Sequence, residues 1–362
     1  MSQTASALLS TEALLHNLSV VKVHARKSTV MAMVKANAYG HGLRSVALRL
    51  EPHVDNFGVA RIDEALALRR VGIKKPITLM EGVSDPSELL VAASENFHVV
   101  FHHFVQVEWL SSASLPAPLT VWLKIDTGMG RLGFQGNDAE QAYDQLVASP
   151  WTNKPIGIMS HFACADEPAH FLNAEQIRHF TYFVKDRPGP KSFCNSAGIF
   201  SFPAQHYDVV RPGVALYGLS PLPGRSAQSL GLRPVMTLQT CLISVRMADQ
   251  GSTIGYGARY VCPENMPIGV IAMGYGDGLS RTIQDGAPVV VNGVQCQFVG
   301  KVSMDMAMVD LRNCPAARIG DPVILWGEGL PLEEMAPFTG LITYDMLTGV
   351  QSRVKFHWTP AL

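Results

Sequence analysis

Polar side chains of types that can do chemistry stand where short apolar runs of this sequence end. They are Lys35, Lys124, Arg131, His161, Asn195, Ser196 and Arg211. Lys35 is the most informative, because it follows the apolar run TVMAMV, where a lysine is costly to bury. A strand-end lysine commonly reaches out to solvent, whereas a Schiff-base lysine needs a lowered pKa and a carbonyl partner. Both interpretations of Lys35 are open at this level.

The elements that must position these side chains alternate between strand-like and helical patterns from residue 10 to residue 220. The strand-like runs, in order, are TVMAMV, FGVA, PITLM, HVVF, LTVWLKI, IGIMS, KSFC and YDVV. Helical stretches carry apolar residues three or four apart, as at Leu14, Leu18 and Val21. This alternation predicts a closed (β/α)8 barrel of the TIM type, with the polar side chains gathered at its mouth. An open doubly wound sheet also alternates, but it usually carries G-x-G-x-x-G where this chain has VKANAYGHG.

The pattern of apolar and polar residues changes after residue 230, where strand-like alternation dominates. Asn292-Gly293, between VVV and VQCQF, predicts a tight β-hairpin. We therefore expect a barrel domain over residues 1–225, a mostly β domain over 226–362, and a linker at 221–229. The first few residues of the chain can also join the β domain.

Composition excludes several classes of function. With 16% charged residues and a net charge of -1, the chain offers no electrostatic footprint for nucleic acid or an acidic membrane surface. The six cysteines form no C-x-x-C pair, and His102 and His103 should point to opposite faces, so no metal site is expected. The N-terminal pattern is not that of a signal peptide, and no apolar stretch approaches the ~20 residues of a membrane helix. We expect a soluble, cytoplasmic protein.

The segment VKANAYGHG around Lys35 resembles the pyridoxal-phosphate lysine motif of the alanine racemase family. The resemblance continues along the chain, in the family's order, through WLKIDTGMGRLGF, SHFACADE, NSAG, VVRPGVALYGLSP, IGYGARY, AMGYGDG, VGKVSMDMAMVDL and GDPVILWGEG. It implies a (β/α)8 barrel followed by a β domain, which agrees with the alternation described above. It also implies a racemase (an isomerase) that uses pyridoxal 5'-phosphate to interconvert L- and D-alanine.

Racemisation requires two acid–base groups on opposite faces of the substrate, while pyridoxal phosphate supplies the electron sink. The resemblance implies that Lys35 serves the D face and that Tyr256 serves the L face. In the family this tyrosine comes from the partner subunit, which implies a homodimer with shared active sites. His161 and Arg211 are suited to form a hydrogen-bonded, positively biased chain beneath Tyr256, with Arg211 facing the pyridine nitrogen.

The resemblance also assigns the remaining site residues. The cofactor-binding set is Lys35, Tyr39, His161, Asn195, Ser196, Arg211, Gly213, Val214 and Tyr344. The substrate carboxylate is expected to meet Arg131 and the Met304 backbone, while Tyr275 and Met304 narrow the pocket in favour of alanine. In some family members the lysine that matches Lys124 is carbamylated and orients the arginine.

Several alternatives remain open. A broader-specificity racemase, acting for example on serine, would use the same scaffold. A pyridoxal-phosphate decarboxylase or a non-catalytic pyridoxal-phosphate carrier would share the lysine, but IGYGARY and the β domain that carries it argue against both. The sequence does not decide between supplying D-alanine for peptidoglycan and degrading it.

Overall fold

The computed structural model describes residues 5–359, which fall into two compact units. Residues 17–216 and 220–225 form one unit, and the other described residues form the second. The predicted domains run from residue 1 to residue 362, so their outermost ends, at 1–4 and 360–362, lie outside the described residues. No helix in the described part is long and apolar enough to cross a membrane.

Eight parallel strands form the sheet of the first unit. The first strand of the chain, β1 (Ser6–Ser10), belongs to the second unit. The barrel strands are β2 (Thr29–Met33), β3 (Asn56–Val59), β4 (Ile77–Leu79), β5 (Phe97–Phe101), β6 (Leu119–Lys124), β7 (Thr152–Met159), β8 (Lys191–Ser192) and β9 (Val209–Val210). Each pairs with the next from β2 to β8, and β2 also pairs with β9. The last gap is closed by backbone bonds from Asp208 to Lys191 (3.1 Å) and from Arg211 to Cys194 (2.9 Å). The predicted parallel barrel is confirmed.

The barrel interior is filled by alternate residues of its strands. Met31 and Met33 of β2 pack with Trp122 of β6 in one buried cluster. Gly157 lies opposite Trp122 in the β6–β7 register, and a Cβ at Gly157 would lie 2.4 Å from the indole ring. Glycine on β7 therefore makes room for the largest side chain of this cluster.

Helices follow most of the barrel strands, as the spacing of apolar residues predicts. Ala65 and Leu68 of the fourth helix are buried, and that helix ends just before Gly72, which has φ +94°. The helices are α1 (Thr11–His24), α3 (Leu43–Leu50), α4 (Ile62–Arg70), α5 (Ser87–Ser94), α6 (Phe104–Ser111), α7 (Gly136–Ala148), α8 (Phe171–Val184) and α9 (Ser196–Ser201), and α2 (Lys35–Tyr39) is a left-handed turn. Two short helices, α10 (Leu332–Met335) and α11 (Thr343–Thr348), belong to the second unit.

The second unit is mostly β, as the strand patterns after residue 230 predict. Its strands are β1, β10 (Met236–Ala248), β11 (Thr253–Ile254), β12 (Tyr260–Val261), β13 (Met266–Ile271), β14 (Pro288–Val291), β15 (Val294–Val299), β16 (Ala307–Asp310), β17 (Pro322–Trp326) and β18 (Lys355–Thr359). Eight of them form a sheet in the order β13-β16-β15-β14-β17-β10-β1-β18, while β11 and β12 form a separate pair. Asn292 and Gly293, with φ of 49° and 81°, make the two-residue turn between β14 and β15, which confirms the predicted hairpin.

Candidate active site

Lys35 begins a left-handed turn, whereas the sequence suggests that it ends a strand. β2 stops at Met33, and the four residues after Lys35 have φ between 51° and 54°. Such a conformation is rare for residues other than glycine. The Glu64 side chain holds the turn from outside, because its Oε1 accepts the backbone N–H of Ala36 at 2.7 Å. Glu64 stands 28 residues away in the sequence and was not among the expected site residues.

Burial and neighbouring cations lower the pKa of the Lys35 amine. Burial is the largest cause, and the positive charges of Arg131 and Arg211 act in the same direction. The carboxylates of Glu81 and Glu64 oppose this shift without cancelling it. A lysine with a lowered pKa is more often neutral near pH 7, which suits it to attack a carbonyl or to accept a proton.

Arg211 is buried at the end of β9 and is surrounded by oxygen acceptors. Its guanidinium donates to Ser192 Oγ, to Ser160 O (2.6 Å) and to Phe193 O (3.2 Å). Burial lowers the pKa of Arg211 to about 10, so the group remains protonated at neutral pH. The site therefore contains a fixed buried cation whose planar donors are aligned by strand-end carbonyls.

His161 lies beside Arg211, and its ring is neutral. Arg211 Nη2 is 3.1 Å from His161 Nδ1, so Nδ1 accepts this bond and the ring proton is assigned to Nε2. Burial and the nearby positive charges of Lys124 and Arg211 hold the pKa of His161 well below its usual range. Asn195 Oδ1 caps α9 by accepting the Gly198 N–H at 2.9 Å. Asn195 Nδ2 lies 3.4 Å from His161 Nε2, but both atoms carry hydrogen in this arrangement, so they are neighbours and not a hydrogen-bonded pair.

A fully buried glutamine on α8 fixes the loop that carries His161. Gln176 Nε2 donates to His161 O (2.9 Å) and to Thr127 Oγ1 (3.2 Å), while its Oε1 accepts the Ala163 N–H (2.9 Å). Thr127 Oγ1 is in turn 2.9 Å from Ser160 Oγ. Gln176 was not among the expected site residues, because nothing in the local sequence distinguishes this glutamine from others on helices that cover a barrel.

Lys124 and Arg131 lie at the end of β6 and in the loop that follows. Lys124 is 7% exposed, and burial, aided by the positive charges of Arg211 and Arg131, lowers the pKa of its amine well below the usual value. The loop itself is organised by Asp126, which was also missed. Its carboxylate accepts the N–H groups of Gly128 (3.0 Å), Met129 (2.9 Å) and Gly130 (3.0 Å). These bonds keep the pKa of Asp126 below its ordinary value despite partial burial.

Ser196, Gly213 and Tyr39 form a tight cradle at the same mouth. Ser196 Oγ accepts the N–H of Gly213 at 2.8 Å and that of Ala215 at 3.3 Å, which leaves its own hydrogen free to donate. A Cβ at residue 213 would lie 2.3 Å from Tyr39 Oη, so only glycine fits there. Val214 follows at the start of a 3-10 turn, Val214–Tyr217. Hydroxyls and backbone N–H groups of this kind suit an anion such as a phosphate.

The other expected site residues belong to the second unit. Tyr256, Tyr275, Met304 and Tyr344 are 67%, 36%, 54% and 38% exposed. Tyr275 and Met304 come together there, because the N–H of Tyr275 bonds to Ser303 O (3.0 Å) and that of Gly276 bonds to Met304 O (2.8 Å). Arg353 stabilises the region around Tyr275 and Met304 through salt bridges with Asp277 (2.7 Å) and Asp305 (2.8 Å).

The barrel mouth is therefore rich in positive charge, because Arg131 and Arg211 lie close enough to Lys35 and Lys124 to lower the pKa of both lysines. Such a site suits an anionic ligand, and the lowered pKa of Lys35 adds a nucleophile. In residues 5–359, no group of three or more His, Cys, Asp or Glu side chains is arranged to hold a metal ion.

Two family models match this chain. The model described as "Alanine racemase, N-terminal domain" matches residues 9–221, and that described as "Alanine racemase, C-terminal domain" matches residues 235–358.

Individual relatives match over nearly the whole length. "Alanine racemase, biosynthetic" of Escherichia coli (strain K12) is 45% identical over 357 residues, covering 98% of this chain and 99% of that protein. The crystal structure of biosynthetic alanine racemase from Pseudomonas aeruginosa superposes with a TM-score of 0.96 at 39% identity, covering 99% of this chain and 100% of that one. That of the Bartonella henselae alanine racemase with covalently bound pyridoxal phosphate gives a TM-score of 0.90 at 28% identity, covering 99% and 100%.

Proposed function

The chain belongs to the alanine racemase family and is a pyridoxal-phosphate-dependent racemase of alanine, and we propose that Lys35 and Tyr256 are its two acid–base groups. When bound, pyridoxal phosphate supplies the electron sink that allows the α-proton of alanine to leave. The observation that carries the proposal is the partly buried Lys35 amine, with its lowered pKa, on a turn that Glu64 holds at a cation-rich barrel mouth.

The residues at the mouth fit this cofactor. The phosphate is assigned to the cradle of Tyr39, Ser196, Gly213 and Val214, with Tyr344 as a further donor. The fit is supported by Gly213, where a Cβ would collide with Tyr39 Oη, and by the free hydroxyl hydrogen of Ser196.

Arg211 is proposed to donate to the pyridine nitrogen, with His161 and Asn195 beside it. An arginine that remains protonated donates a hydrogen bond but does not transfer its proton. The pyridine nitrogen would therefore stay unprotonated. This favours the return of a proton to the substrate, so that less substrate is lost to side reactions.

Proton transfer is proposed to occur at two atoms. Lys35 Nζ takes or returns the α-proton on the D face, and its lowered pKa increases the fraction of neutral amine that can accept it. Tyr256 Oη does the same on the L face. Each group must begin one direction of the reaction as a base, so the two start in opposite protonation states for L- and D-alanine.

The substrate carboxylate is proposed to meet the Arg131 guanidinium and the Met304 backbone, while the Tyr275 and Met304 side chains limit the substrate to a small size. We propose that Lys124 carries a carbamate. A neutral lysine amine adds carbon dioxide to give an N-carboxylate and releases one proton. The lowered pKa of Lys124 provides the neutral amine, and an anion there would offset the positive charge of Arg211 and Arg131.

We further propose that the enzyme is a homodimer in which Tyr256 of each subunit serves the Lys35 of the other. The exposure of Tyr256 (67%) and Met304 (54%) supports this, since catalytic and substrate-binding groups work in sites closed to water. A cytoplasmic location is proposed from the six cysteines, all of which are free thiols. The relative named biosynthetic in Escherichia coli favours supply of D-alanine over its degradation.

Isotope exchange tests the two-base assignment. Wild-type enzyme, Lys35→Ala and Tyr256→Phe are each incubated with L- or D-alanine in D2O, and racemisation and α-deuterium incorporation are followed by chiral chromatography and NMR. We expect Lys35→Ala to lose both activities. Tyr256→Phe should lose racemisation but still exchange the α-proton of D-alanine with retention of configuration. Equal exchange of L- and D-alanine by Tyr256→Phe would refute the assignment of Tyr256 to the L face.

A further inference from the structure

The hairpin that carries Tyr256 has little structure of its own. β11 and β12 contribute two residues each, and their register contains two residue pairs, Thr253 with Val261 and Ile254 with Tyr260. The turn between them is a single 3-10 turn, Tyr256–Ala258. A two-stranded ribbon this short is at best marginally stable in water. Contacts outside the ribbon must therefore fix the position of Tyr256.

The backbone of the turn adds to this requirement. Gly255, Gly257 and Ala258 have φ of 74°, 69° and 50°. Left-handed conformations are easy for glycine but unfavourable for Ala258. Contacts with residues outside the turn must therefore stabilise its conformation, and the residue directly after Ala258 is placed to make them.

Arg259 provides that hold. Its Nη2 lies 2.7 Å from Gly300 O, 2.9 Å from Asp285 Oδ1 and 3.0 Å from Ile283 O. Asp285 Oδ1 also accepts the N–H of Gly300 at 2.6 Å. One arginine nitrogen and one carboxylate oxygen therefore join the hairpin to two separate backbone segments. The Arg259 and Asp285 side chains are 29% and 31% exposed, so the pair is partly shielded from water.

The hairpin tip packs directly on one of these segments. A Cβ at Gly300 would lie 2.9 Å from Ile254 O, and one at Gly255 would lie 3.4 Å from Lys301 N. Glycine at residue 300 lets the two backbones approach, and the Arg259 hydrogen bond to Gly300 O joins them there. The segment after Gly300 continues to Met304, so the hold fixes Tyr256 relative to a residue that the proposed function places at the substrate.

We propose that Arg259, together with Asp285, is the positioning residue for proton transfer on the L face. The inference rests on the proposed role of Tyr256. All three oxygens that accept hydrogen bonds from Arg259 lie in the β unit, so the loss of these bonds displaces Tyr256. The Lys35 turn is not affected, because it is fixed by the hydrogen bond from the Ala36 N–H to Glu64. The effect of removing Arg259 is therefore stereochemically one-sided.

The test compares two fates of D-alanine in D2O. After Lys35 removes the α-proton, a deuteron returned on the same face gives α-deuterated D-alanine, whereas a deuteron delivered by Tyr256 on the other face gives α-deuterated L-alanine. In Arg259→Gln we expect racemisation to fall about 10- to 100-fold, because a displacement near 1 Å has effects of that order. Exchange with retention should fall much less, so the ratio of exchange to racemisation rises for D-alanine and not for L-alanine. Asp285→Asn should act alike, and the double variant should add little.

Arg312→Gln is the matched control. Arg312 lies in the same unit, is 37% exposed, and forms salt bridges with Asp310 (2.7 Å) and Glu264 (2.5 Å). Its charge also acts on Tyr260 of β12, but in the described residues its side-chain hydrogen bonds go to Asp310 and Glu264 and not to the Tyr256 turn. We expect it to leave the exchange ratio unchanged. Arg259→Lys, which keeps the charge and a donor nitrogen but has a shorter reach than the Arg259 guanidinium, should fall between wild type and Arg259→Gln, and it serves as the test if the glutamine variant does not fold.

Backbone hydrogen exchange provides a readout that does not depend on activity. Mass spectrometry of the peptide covering residues 250–262 should show faster exchange in Arg259→Gln, and not in Arg312→Gln, with or without the cofactor. An unchanged exchange ratio for D-alanine in Arg259→Gln, or a loss of exchange and racemisation in equal proportion, would overturn the inference. If Tyr256→Phe also failed to raise the ratio of exchange to racemisation, the proposed role of Tyr256 would be wrong, and the result would not bear on the role of Arg259.

Discussion

Replacing Ala36 by glycine should stabilise this enzyme, although glycine in a helical segment ordinarily destabilises. Ala36 directly follows Lys35, is exposed, and has φ 52° and ψ 54°. Asn37, Ala38 and Tyr39 share this left-handed conformation, so four successive residues other than glycine are strained. Because the Ala36 side chain is exposed, its removal leaves no cavity. The substitution thus acts on backbone conformation alone.

The magnitude follows from two opposing terms. A left-handed helical conformation costs an L-residue with a Cβ about 1–2 kcal/mol, and glycine escapes this cost. Glycine also makes the unfolded chain more flexible, which costs about 0.5–1 kcal/mol. The net expectation is a gain of about 0.5–1 kcal/mol in the free energy of unfolding. Ala174→Gly, at an exposed position of the right-handed helix α8, should instead lose about 1 kcal/mol.

Urea denaturation of the two variants isolates the strain. The unfolded-state cost of glycine is common to both, so the difference between their free energies of unfolding, about 1–2 kcal/mol, is the strain at Ala36. Each variant is measured with and without saturating pyridoxal phosphate, because a ligand that binds only the folded protein adds its own stability. If Ala36→Gly destabilised the protein as much as Ala174→Gly, the turn after Lys35 would not be strained and the reasoning would fail.

Three further perturbations test other parts of the site. Asp126→Asn removes the charge that holds the backbone amides of the Arg131 loop, so KM for alanine should rise about tenfold with a smaller change in kcat; steady-state kinetics that show kcat alone affected would contradict this. Burial lowers the pKa of His98 to about 4, so between pH 6.5 and pH 4 the unfolded chain binds a proton that the folded chain does not, and stability falls as the pH falls. Between pH 7 and pH 5, the free energy of unfolding should therefore fall by about 2 kcal/mol less in His98→Gln than in the wild type. Urea denaturation at both pH values measures this, and an equal fall in the two proteins would contradict the prediction. With 13C-bicarbonate, the enzyme should show a carbamate NMR signal that is absent from Lys124→Ala, and its absence from the wild type would exclude the modification.

The sequence predicts the barrel strands well, because their patterns are local. Each strand is a short apolar run, and the polar residue after it marks the mouth, so His161 and Arg211 could be placed together before any coordinates. The Asn292-Gly293 hairpin is equally local, since both residues tolerate positive φ. What the sequence cannot reveal is conformation imposed from a distance. Ala36 has no glycine-like freedom, and the carboxylate that holds it stands 28 residues further along the chain.

The same limit applies to β1, which pairs with β10, some 230 residues further along the chain, and with β18, some 350 residues further along. A five-residue strand whose partners lie more than two hundred residues away has no turn or repeat beside it to indicate its pairing. The resemblance to a family supplied the roles of the site residues. It did not identify Glu64, Asp126 or Gln176, because these act on backbone and not on a ligand.

The three loops that carry the proposed chemistry are each stabilised in the same way, by a carboxylate that accepts backbone N–H groups. Glu64 accepts the Ala36 N–H in the Lys35 turn, Asp126 accepts three N–H groups in the Arg131 loop, and Asp285 accepts the Gly300 N–H while pairing with Arg259 behind Tyr256. A carboxylate is a stronger acceptor than a carbonyl, and it binds several N–H groups of irregular backbone at once. It therefore fixes loops that no helix or strand ladder can fix. At Asp126 the accepted N–H groups also hold the pKa of the carboxyl below its ordinary value, so the bonds that order the Arg131 loop and the ionised state of Asp126 favour each other.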